Sequence, residues 1–582
     1  MIYTSKKIEP VKQQVCLVLI EEQNMKDNRK LIAGSIAIAL LLVMGIVSCV
    51  AISGTSQDQL QQADIEDFIY CTFLGGANLD HVRDVTTDSQ DNFIVAGYTM
   101  SADFPVKNPY QSSHAGGGQD VHQVSGDAFV AKFDKEGQLL WSTYLGGSSN
   151  DGGKFANVLT DDSIVVVGMT KSSDFPTTTD AYQRDYSAGY DMFITKFAAN
   201  GSVIYSSYLG ATGDDAITDF ELDSSGNLVI AGSTTSEDFP VTANAYQPVT
   251  GGGLDVFLMR LSADCSTILY STFLGGSGHE GIVHVDFAQG IGMVDLDAQG
   301  NIIVSGATAS SDFPVTEDAY QDSIRGGRDI YIAKYNPSGQ LTYATYFGGS
   351  HSDDCYGVGV DSIGNVIITG KTLSADFPTA HAWQNAWQAN YINNERMPDG
   401  YVTKFNADGQ ELNFSSYFGG SGWDTVHHVN VDSNDNIIVS GIADIYSTGF
   451  PILDAFQEEI RGHCDIVIMM ISPDGQPVFG TYLGGGQTDH PFNQYLTDDY
   501  LHIAGFTVST DFPVTSTAYQ RTYNGNEDGY IVRFDIDGYL TSGSRTSEAT
   551  TDSSSSTAVP GFDLFPALVG MATFLVIRWK KE

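Results

Sequence analysis

The sequence predicts an all-β protein folded as a seven-bladed β-propeller of four-stranded blades, and three observations predict it. The composition, with 62 Gly, 11% aromatic and 17% charged residues, is typical of many short strands joined by tight turns. The repeat region opens with a strand-like segment that lacks a preceding partner and closes with one that lacks a following partner. A Phe of a DFP element (GFP in one copy) recurs with spacings of 71, 64, 74, 64, 73 and 62, at Phe104, Phe175, Phe239, Phe313, Phe377, Phe450 and Phe512.

Each repeat divides into four strands, a to d, as the third copy shows. Strand a covers residues 216–223, strand b 227–234, strand c 255–261 and strand d 268–273. Short turns such as DSSGN carry Gly where a hairpin needs positive φ. The longer b-to-c loop reads SEDFPVTANAYQ, in which Pro ends the strand and AYQ is predicted to form one helical turn with its aromatic ring between blades.

The two ends of the repeat region predict how the ring closes. Residues 67–76, DFIYCTFLGG, have the pattern of strand d, and residues 528–538, DGYIVRFDIDG, have that of strand c. Pairing of residues 68–73 with residues 530–536 would complete the last blade and leave no long sheet edge open.

The repeats also resemble a known family. Segments such as YSTFLGG, DSSGN and SEDFP resemble the SBBP β-propeller repeats, and the match covers nearly all of residues 65–540. The resemblance implies a surface or secreted propeller and brings no common reaction with it.

The regions outside the propeller predict a cell-surface protein. Residues 1–30 are a leader, with Met25 as an alternative start, and residues 31–53 are an apolar signal peptide or membrane anchor. Residues 54–64 form a linker, 65–540 the propeller and 541–559 a Ser/Thr-rich stalk. Residues 560–582 form a hydrophobic anchor with a basic tail and resemble the Pro-Gly-Phe C-terminal segments of archaeal surface proteins.

The distribution of charged residues predicts on which side of the membrane the propeller lies and which class of partner is excluded. Both apolar segments have their basic residues on the side away from the repeats, so the positive-inside rule places the propeller on the extracellular face, anchored through terminal hydrophobic helices. The net charge of −43 argues against nucleic acid as a partner.

Two acidic positions recur in the long loops and are expected to lie on one face. Carboxylates suit calcium, but Asp also holds loops by accepting hydrogen bonds, and both interpretations stay open. The first position follows the d-to-a loop, at Asp80, Asp151, Asp215, Glu280, Asp354, Asp424 and Asp489. The second opens strand c, at Asp127, Asp191, Asp255, Asp329, Asp399, Asp465 and Asp528.

One sector, on blades five and six, departs from the repeat. The b-to-c loop there reads HAWQNAWQANYINNERMPDG and the next d-to-a loop GGSGWD, so aromatic residues gather near two histidines. These candidates for ligand binding are Trp383, Trp387, Tyr391, Trp423, His427 and His428. Exposed aromatic residues beside carboxylates suit sugar stacking or a protein hot spot, and packing of the enlarged loop explains them equally well.

Two functional classes follow from the sequence. The first is an anchored extracellular binding, adhesion or scaffold module with a glycan, a surface protein or a cation as ligand. The second is an extracellular hydrolase or lyase that uses His and Asp at the channel mouth. No catalytic residue is assigned, because the sequence contains no GxSxG, HExxH or paired-Cys motif.

Overall fold

The structure is a computed structural model that describes residues 69–119, 124–280, 293–388, 391–392 and 395–535. Seven four-stranded sheets and one two-stranded ribbon make up this part of the chain, and no helix occurs in it. The predicted all-β, seven-bladed propeller of four-stranded blades is confirmed.

The strands follow one another blade by blade after β1 (Ile69–Leu74). Blade 1 contains β2 (Asp80–Thr87), β3 (Phe93–Thr99), β4 (Asp127–Phe133) and β5 (Leu139–Leu145). Blade 2 contains β6 (Asp151–Val158), β7 (Ile164–Thr170), β8 (Asp191–Phe197) and β9 (Val203–Leu209). Blade 3 contains β10 (Asp215–Leu222), β11 (Leu228–Thr234), β12 (Asp255–Leu261) and β13 (Ile268–Leu274). Blade 4 contains β14 (Met293–Leu296), β15 (Ile302–Thr308), β16 (Asp329–Tyr335) and β17 (Leu341–Phe347).

The remaining blades carry the irregular features. Blade 5 contains β18 (Asp353–Val360), β19 (Val366–Thr372), β22 (Asp399–Phe405) and β23 (Leu412–Phe418), and the ribbon of β20 (Tyr391–Ile392) and β21 (Glu395–Arg396) lies in its b-to-c loop. Blade 6 contains β24 (Asp424–Val431), β25 (Ile437–Asp444), β26 (Cys464–Ile471) and β27 (Pro477–Leu483). Blade 7 contains β28 (Asp489–Leu496), β29 (Tyr500–Thr507) and β30 (Asp528–Asp535), and takes β1 as its fourth strand.

The ring closes as the sequence predicts. Strand β1 pairs antiparallel with β30, from Ile69 opposite Phe534 to Leu74 opposite Gly529. The predicted pairing also included residues 68 and 536, which lie outside the described residues. Because the first strand completes the last sheet, blade 7 has the same four strands as the others.

The hydrophobic core lies between neighbouring blades. One cluster joins Val229 and Leu258 of blade 3 to Val304 and Tyr331 of blade 4, and all four side chains are buried. Strand b of each blade is therefore apolar on both faces, as in the buried run LVIAGST of β11. Packing of this kind fixes each sheet against the next and makes the loop face a rigid platform.

The AYQ residues do not form the predicted helical turn. In blade 2 the Ala181 N–H closes a turn to the Thr178 carbonyl, and Gln183 then pairs with Tyr208 of β9 in an isolated bridge. The Gln183 side-chain oxygen accepts the Gly210 N–H at 3.0 Å, which holds this residue against the sheet in place of a helix. The predicted packing of the aromatic ring between blades is found in the next copy, where Tyr246 contacts Tyr335 of blade 4.

Several predictions concern residues outside the described ranges. The leader, the apolar segment 31–53, the stalk 541–559 and the anchor 560–582, with the terminal helices expected there, all belong to this group. Within the described residues, no helix has the length and apolar character needed to cross a membrane.

Candidate functional site

The acidic residue that opens strand a anchors the d-to-a loop. In blade 2 both oxygens of Asp151 accept hydrogen bonds, from the Gly147 N–H at 2.7 Å, the Ser172 hydroxyl at 2.7 Å and the Thr170 hydroxyl. Thr170 ends strand b and Ser172 opens the SSDFP loop, so one carboxylate fixes three segments. The motif SxDFP therefore recurs for a structural reason.

The Asp that opens strand c holds the long b-to-c loop. In blade 1 the Asp127 carboxylate accepts the Ala115 N–H at 2.6 Å, the Gly116 N–H at 3.2 Å and the Gln111 side-chain amide at 3.3 Å. Asp127 is fully buried. The Gln of the AYQ-type segment bonds to the equivalent Asp in blades 4, 6 and 7 as well.

The two carboxylates meet at the seam between blades. A Cβ added to Gly146 would lie 2.8 Å from Asp151 Oδ2 and 2.9 Å from Asp127 Cγ, so the first Gly of the d-to-a loop lies between them. The sequence predicted two neighbouring carboxylates within each blade. The structure pairs strand c of one blade with strand a of the next, because the d-to-a loop crosses from blade to blade.

Burial makes these carboxylates hard to ionise. It raises the pKa of Asp127 and of Asp151 to about 7, and that of Asp424 to about 8. The same cause raises the pKa of their counterparts Asp80, Asp191, Asp215, Asp255, Glu280, Asp329, Asp353, Asp465, Asp489 and Asp528.

Blade 5 requires a correction. The residue equivalent to Asp151 is Asp353, which accepts the Gly349 N–H at 2.7 Å and the Thr372 hydroxyl, and not Asp354 as the sequence predicted. Asp354 instead forms an ion pair with Arg328 at 2.7 Å and lies 3.5 Å from the Lys371 ammonium. The prediction chose the wrong residue because Asp353 and Asp354 are adjacent in the sequence. In every copy the anchoring carboxylate follows the second residue of the GG pair, which is Gly-Ala in blade 3, by four positions.

We call the acidic residues that open strands a and c the seam carboxylates. The hydrogen-bond donors around them favour a role in holding the loops over a role as cation ligands. Backbone N–H groups and amide nitrogens cannot coordinate a cation, and they occupy the Asp127 oxygens. No group of three His, Cys, Asp or Glu suited to a metal ion is found in the part of the chain that the structure describes. Calcium binding at these positions stays a prediction.

A β-bulge in strand a puts an extra residue near the axis. The register of strand a against strand b shifts at this point in six blades, all except blade 4, whose corresponding residues lie outside the described ranges. The extra residues, which we call the axial layer, are Arg83, Lys154, Thr218, Tyr356, His427 and Phe492. All six are buried.

Side chains of the axial layer contact one another across blades. The Arg83 guanidinium lies 3.8 Å from the Phe492 ring centroid, and Tyr356 stands edge-on to His427 with ring centroids 5.6 Å apart. His427 also packs on His490 at 4.9 Å and hydrogen-bonds the Thr425 hydroxyl at 2.7 Å. Burial lowers the pKa of His427, so this imidazole is neutral and packed against other rings.

A second hydrogen-bonded group adjoins the axial layer. His81 Nε2 donates to Glu527 at 2.6 Å, and the Tyr98 hydroxyl donates to His81 Nδ1 at 2.7 Å. Arg83 hydrogen-bonds the Tyr98 side chain, and within the described residues its Nε and Nη1 atoms have no hydrogen-bond partner. Sequence patterns did not indicate Tyr98 as a member of this group, because it comes from strand b.

The aromatic residues of the predicted patch divide into two groups. Trp383 packs against Phe414 with ring centroids 6.1 Å apart, and Trp387 joins the core between blades 4 and 5. Both are partly buried and belong to the packing of the enlarged loop. His427 and His428, which the sequence grouped with them, are buried on strand a.

The exposed group lies on the same face and is larger than predicted. Tyr391 is 63% exposed and Trp423 is 43% exposed. Ile445 at 51% and Tyr446 at 57% lie beside the loop of Trp423, since the Ser421 hydroxyl donates to the Tyr446 carbonyl at 2.6 Å. The signal in the sequence was that ADIYSTGFP departs from the usual SxDFP pattern.

Cationic side chains lie beside two of the Trp rings in this sector. The Lys371 ammonium lies 5.7 Å from the Trp423 ring centroid, and the Arg396 guanidinium lies 4.1 Å from that of Trp387. Arg396 also hydrogen-bonds His351 at 2.8 Å. We refer to the residues Lys371, Tyr391, Arg396, Trp423, Ile445 and Tyr446 as the rim patch.

Comparison with known proteins finds a family match over one segment of the repeat region. A family model described as a beta-propeller repeat, SBBP, matches residues 342–378. Over 323 residues the chain is 24% identical to the regulatory protein FlaEY of Caulobacter vibrioides, covering 53% of this chain and 32% of that protein. It is 20% identical over 388 residues to the uncharacterized WD repeat-containing protein L264 of Acanthamoeba polyphaga mimivirus, covering 62% of this chain and 24% of that one. The chain thus spans a third or less of the length of both relatives.

Solved structures show distant similarity. The WD40 domain of Neurospora crassa Pan2 aligns with a TM-score of 0.38 and 7% identity, covering 80% of this chain and 95% of that one. The polysaccharide lyase Uly1 aligns with a TM-score of 0.39 and 9% identity, covering 80% and 98%.

Proposed function

We propose that this protein is a binding module that recognises a carbohydrate through the rim patch. The observation that carries the proposal is Trp423, which is 43% exposed and has the Lys371 ammonium 5.7 Å from its ring centroid. A solvent-exposed indole offers a flat apolar face on which the C–H groups of a sugar ring can stack. Lys371, which is held 3.5 Å from the buried Asp354 carboxylate, adds a donor for hydroxyl groups beside it.

The enlarged loops support a site that spans two blades. Gln388 of the blade 5 loop reaches the blade 6 loop, since its side-chain oxygen lies 3.7 Å from a Cβ built on Gly449. The Asp444 N–H donates to the Trp423 carbonyl at 3.2 Å, which ties Ile445 and Tyr446 to the same corner. Trp383 and Trp387 hold this loop from beneath by packing in the core.

The test is a glycan array probed with the full chain and with a Tyr446→Ala variant. We expect the full chain to bind a subset of glycans and the variant to lose signal on the same subset. If the full chain binds no glycan but binds a surface protein through Tyr446, the ligand is a protein and the carbohydrate proposal is wrong.

We further propose that the module works at the extracellular face of the membrane, held there by its terminal segments. Residues 31–53 and 560–582 are apolar with flanking basic residues, and residues 541–559 supply a flexible stalk. Removal of residues 560–582 should shift the protein from the membrane fraction to the medium. Cell-associated protein that external protease does not degrade would contradict the location.

A second candidate function is a lyase. It is favoured by the two hydrogen bonds that link Glu527 to His81 and His81 to Tyr98. Glu527 accepts from His81, which leaves His81 Nδ1 free to accept the Tyr98 proton, while Arg83 stabilises a phenolate. Such a phenolate could remove the proton next to the carboxylate of a uronic acid. The glycosidic oxygen would leave as a C–C double bond forms and would take up the proton that Tyr98 then carries. The test is release of unsaturated sugars, which a Tyr98→Phe variant should abolish; unchanged release by that variant would exclude the role of Tyr98.

A further inference from the structure

The axis of the propeller encloses a cavity beneath the axial layer. Its volume is about 430 Å³, and strand a of all seven blades lines it. The lining begins with the residues that directly follow the bulges, such as Asp84 after Arg83 and His428 after His427. The cavity therefore lies in the half of the channel that leads to the short a-to-b turns.

Acidic side chains line this cavity, and none of the described lining residues is Lys or Arg. The acidic residues are Asp84, Asp219, Glu221 and Asp295. Burial raises the pKa of Asp84 and Asp295 to about 7 and that of Asp219 to about 6. Burial and the three neighbouring carboxylates raise the pKa of Glu221 well above its usual range. Arg83, in the axial layer directly above, attracts Asp84, but no described lining residue balances the other carboxylates. These carboxylates are costly to ionise, and a bound cation would remove that cost.

An independent observation points to a ligand that donates hydrogen bonds. Gln494 is 4% exposed and lines the cavity, and its side-chain nitrogen donates to the Ile438 carbonyl at 2.9 Å. This bond fixes the amide orientation, and the Gln494 Oε1 atom then has no hydrogen-bond partner among the described residues. The Nε2 atom of His428, which also lines the cavity, is likewise unpartnered in the described part of the chain. A buried acceptor without a donor is unfavourable unless a bound molecule supplies one.

We propose that this cavity binds a small organic cation with two or more protonated amines, such as a diamine or polyamine. Ammonium groups supply both the charge that the carboxylates lack and the donors that Gln494 and His428 lack. A bare metal ion fits less well, because the described residues contain no set of three ligating side chains suited to a metal. The Asp84 oxygens also already accept the Val85 and Ala156 N–H groups. The site is separate from the rim patch and does not depend on the proposed function.

The test is calorimetric titration of the full chain with putrescine and spermidine, and separately with calcium and magnesium chloride. We expect amine binding, with protons released near pH 7 because the cation lowers the carboxyl pKa values, measured as a dependence of the heat on the ionisation enthalpy of the buffer. Binding of divalent ions without amines, or no binding at all, would overturn the proposal.

Variants locate the site. Glu221→Gln keeps the side-chain volume and should weaken amine binding about tenfold or more, the worth of one charge-assisted hydrogen bond. Asp295→Asn gives a second, independent variant, and Glu317→Gln, on an exposed residue, is the matched control. Equal affinities for Glu221→Gln, Asp295→Asn and Glu317→Gln, with thermal unfolding showing all three folded, would overturn the assignment to the cavity.

Discussion

The Asn493 side-chain nitrogen donates to Asp84 Oδ1 at 2.6 Å, although 409 residues separate the two in sequence. Asn493 belongs to blade 7 and Asp84 to blade 1. Asp84 Oδ2 accepts the Ala156 N–H of blade 2 at 2.6 Å, so a single carboxylate joins three consecutive blades beside the axis. Together with the pairing of β1 and β30, this contact closes the ring at both its inner and outer edges.

Closure predicts that β1 contributes strongly to stability. Phe73 is 1% exposed and packs on Phe512 and Tyr523, so Phe73→Ala should cost about 3–5 kcal/mol in the free energy of unfolding. Leu140→Ala, at an exposed position of strand d, should cost less than about 1 kcal/mol. Chemical denaturation measures both values, and similar costs for the two variants would argue that β1 is not part of the folded ring.

The seam carboxylates predict how stability depends on pH. Burial raises the pKa of Asp424 from 3.8 to about 8, so the folded state holds this proton where the unfolded state has lost it. The contribution of Asp424 to stability is therefore complete below about pH 4 and is lost as the pH rises to about 8. Asp424→Asn should flatten the decline of the melting temperature over this interval relative to Asp185→Asn at an exposed position. A decline equally steep in both variants would show that Asp424 does not titrate in this way.

The glycine at each seam predicts a steric effect. A Cβ at position 146 would lie 2.8 Å from Asp151 Oδ2, inside normal contact distance, and the surrounding residues are buried. Gly146→Ala should therefore cost about 1–3 kcal/mol in the free energy of unfolding. Gly118→Ala is the control, because a Cβ there meets nothing within 4 Å. Thermal or chemical unfolding measures both variants. Equal free energies of unfolding would mean that the two carboxylates can move apart to admit a Cβ without loss of stability.

The sequence predicted the fold well because the fold depends on local signals repeated many times. Turn glycines such as Gly137, at φ +84°, recur in most copies, the strand patterns recur in each, and the unpaired ends imply the closure. The carboxylates at the seams between blades, except Asp353, were found for the same reason. The sequence did not predict that these carboxylates pair across blades, because the pairing depends on where the d-to-a loop crosses from one blade to the next.

The sites were less predictable because they arise where the copies differ. The bulge that puts Arg83 in the axial layer is a change of backbone register, and no residue type marks it in the sequence. Trp383 and Trp423 look alike in sequence, yet the first packs in the core and the second is exposed. Burial of an aromatic residue in an irregular loop depends on tertiary packing and not on local sequence.

The most direct test of the binding function is calorimetric titration of a glycan identified on the array into the full chain, Trp423→Ala and Tyr182→Ala. Tyr182, in the b-to-c loop of blade 2, is a 47% exposed aromatic residue far along the ring from the rim patch, and serves as the control. We expect Trp423→Ala to weaken binding about tenfold or more and Tyr182→Ala to leave it unchanged. Equal affinity for the wild type and Trp423→Ala would contradict the assignment of the binding site to the rim patch.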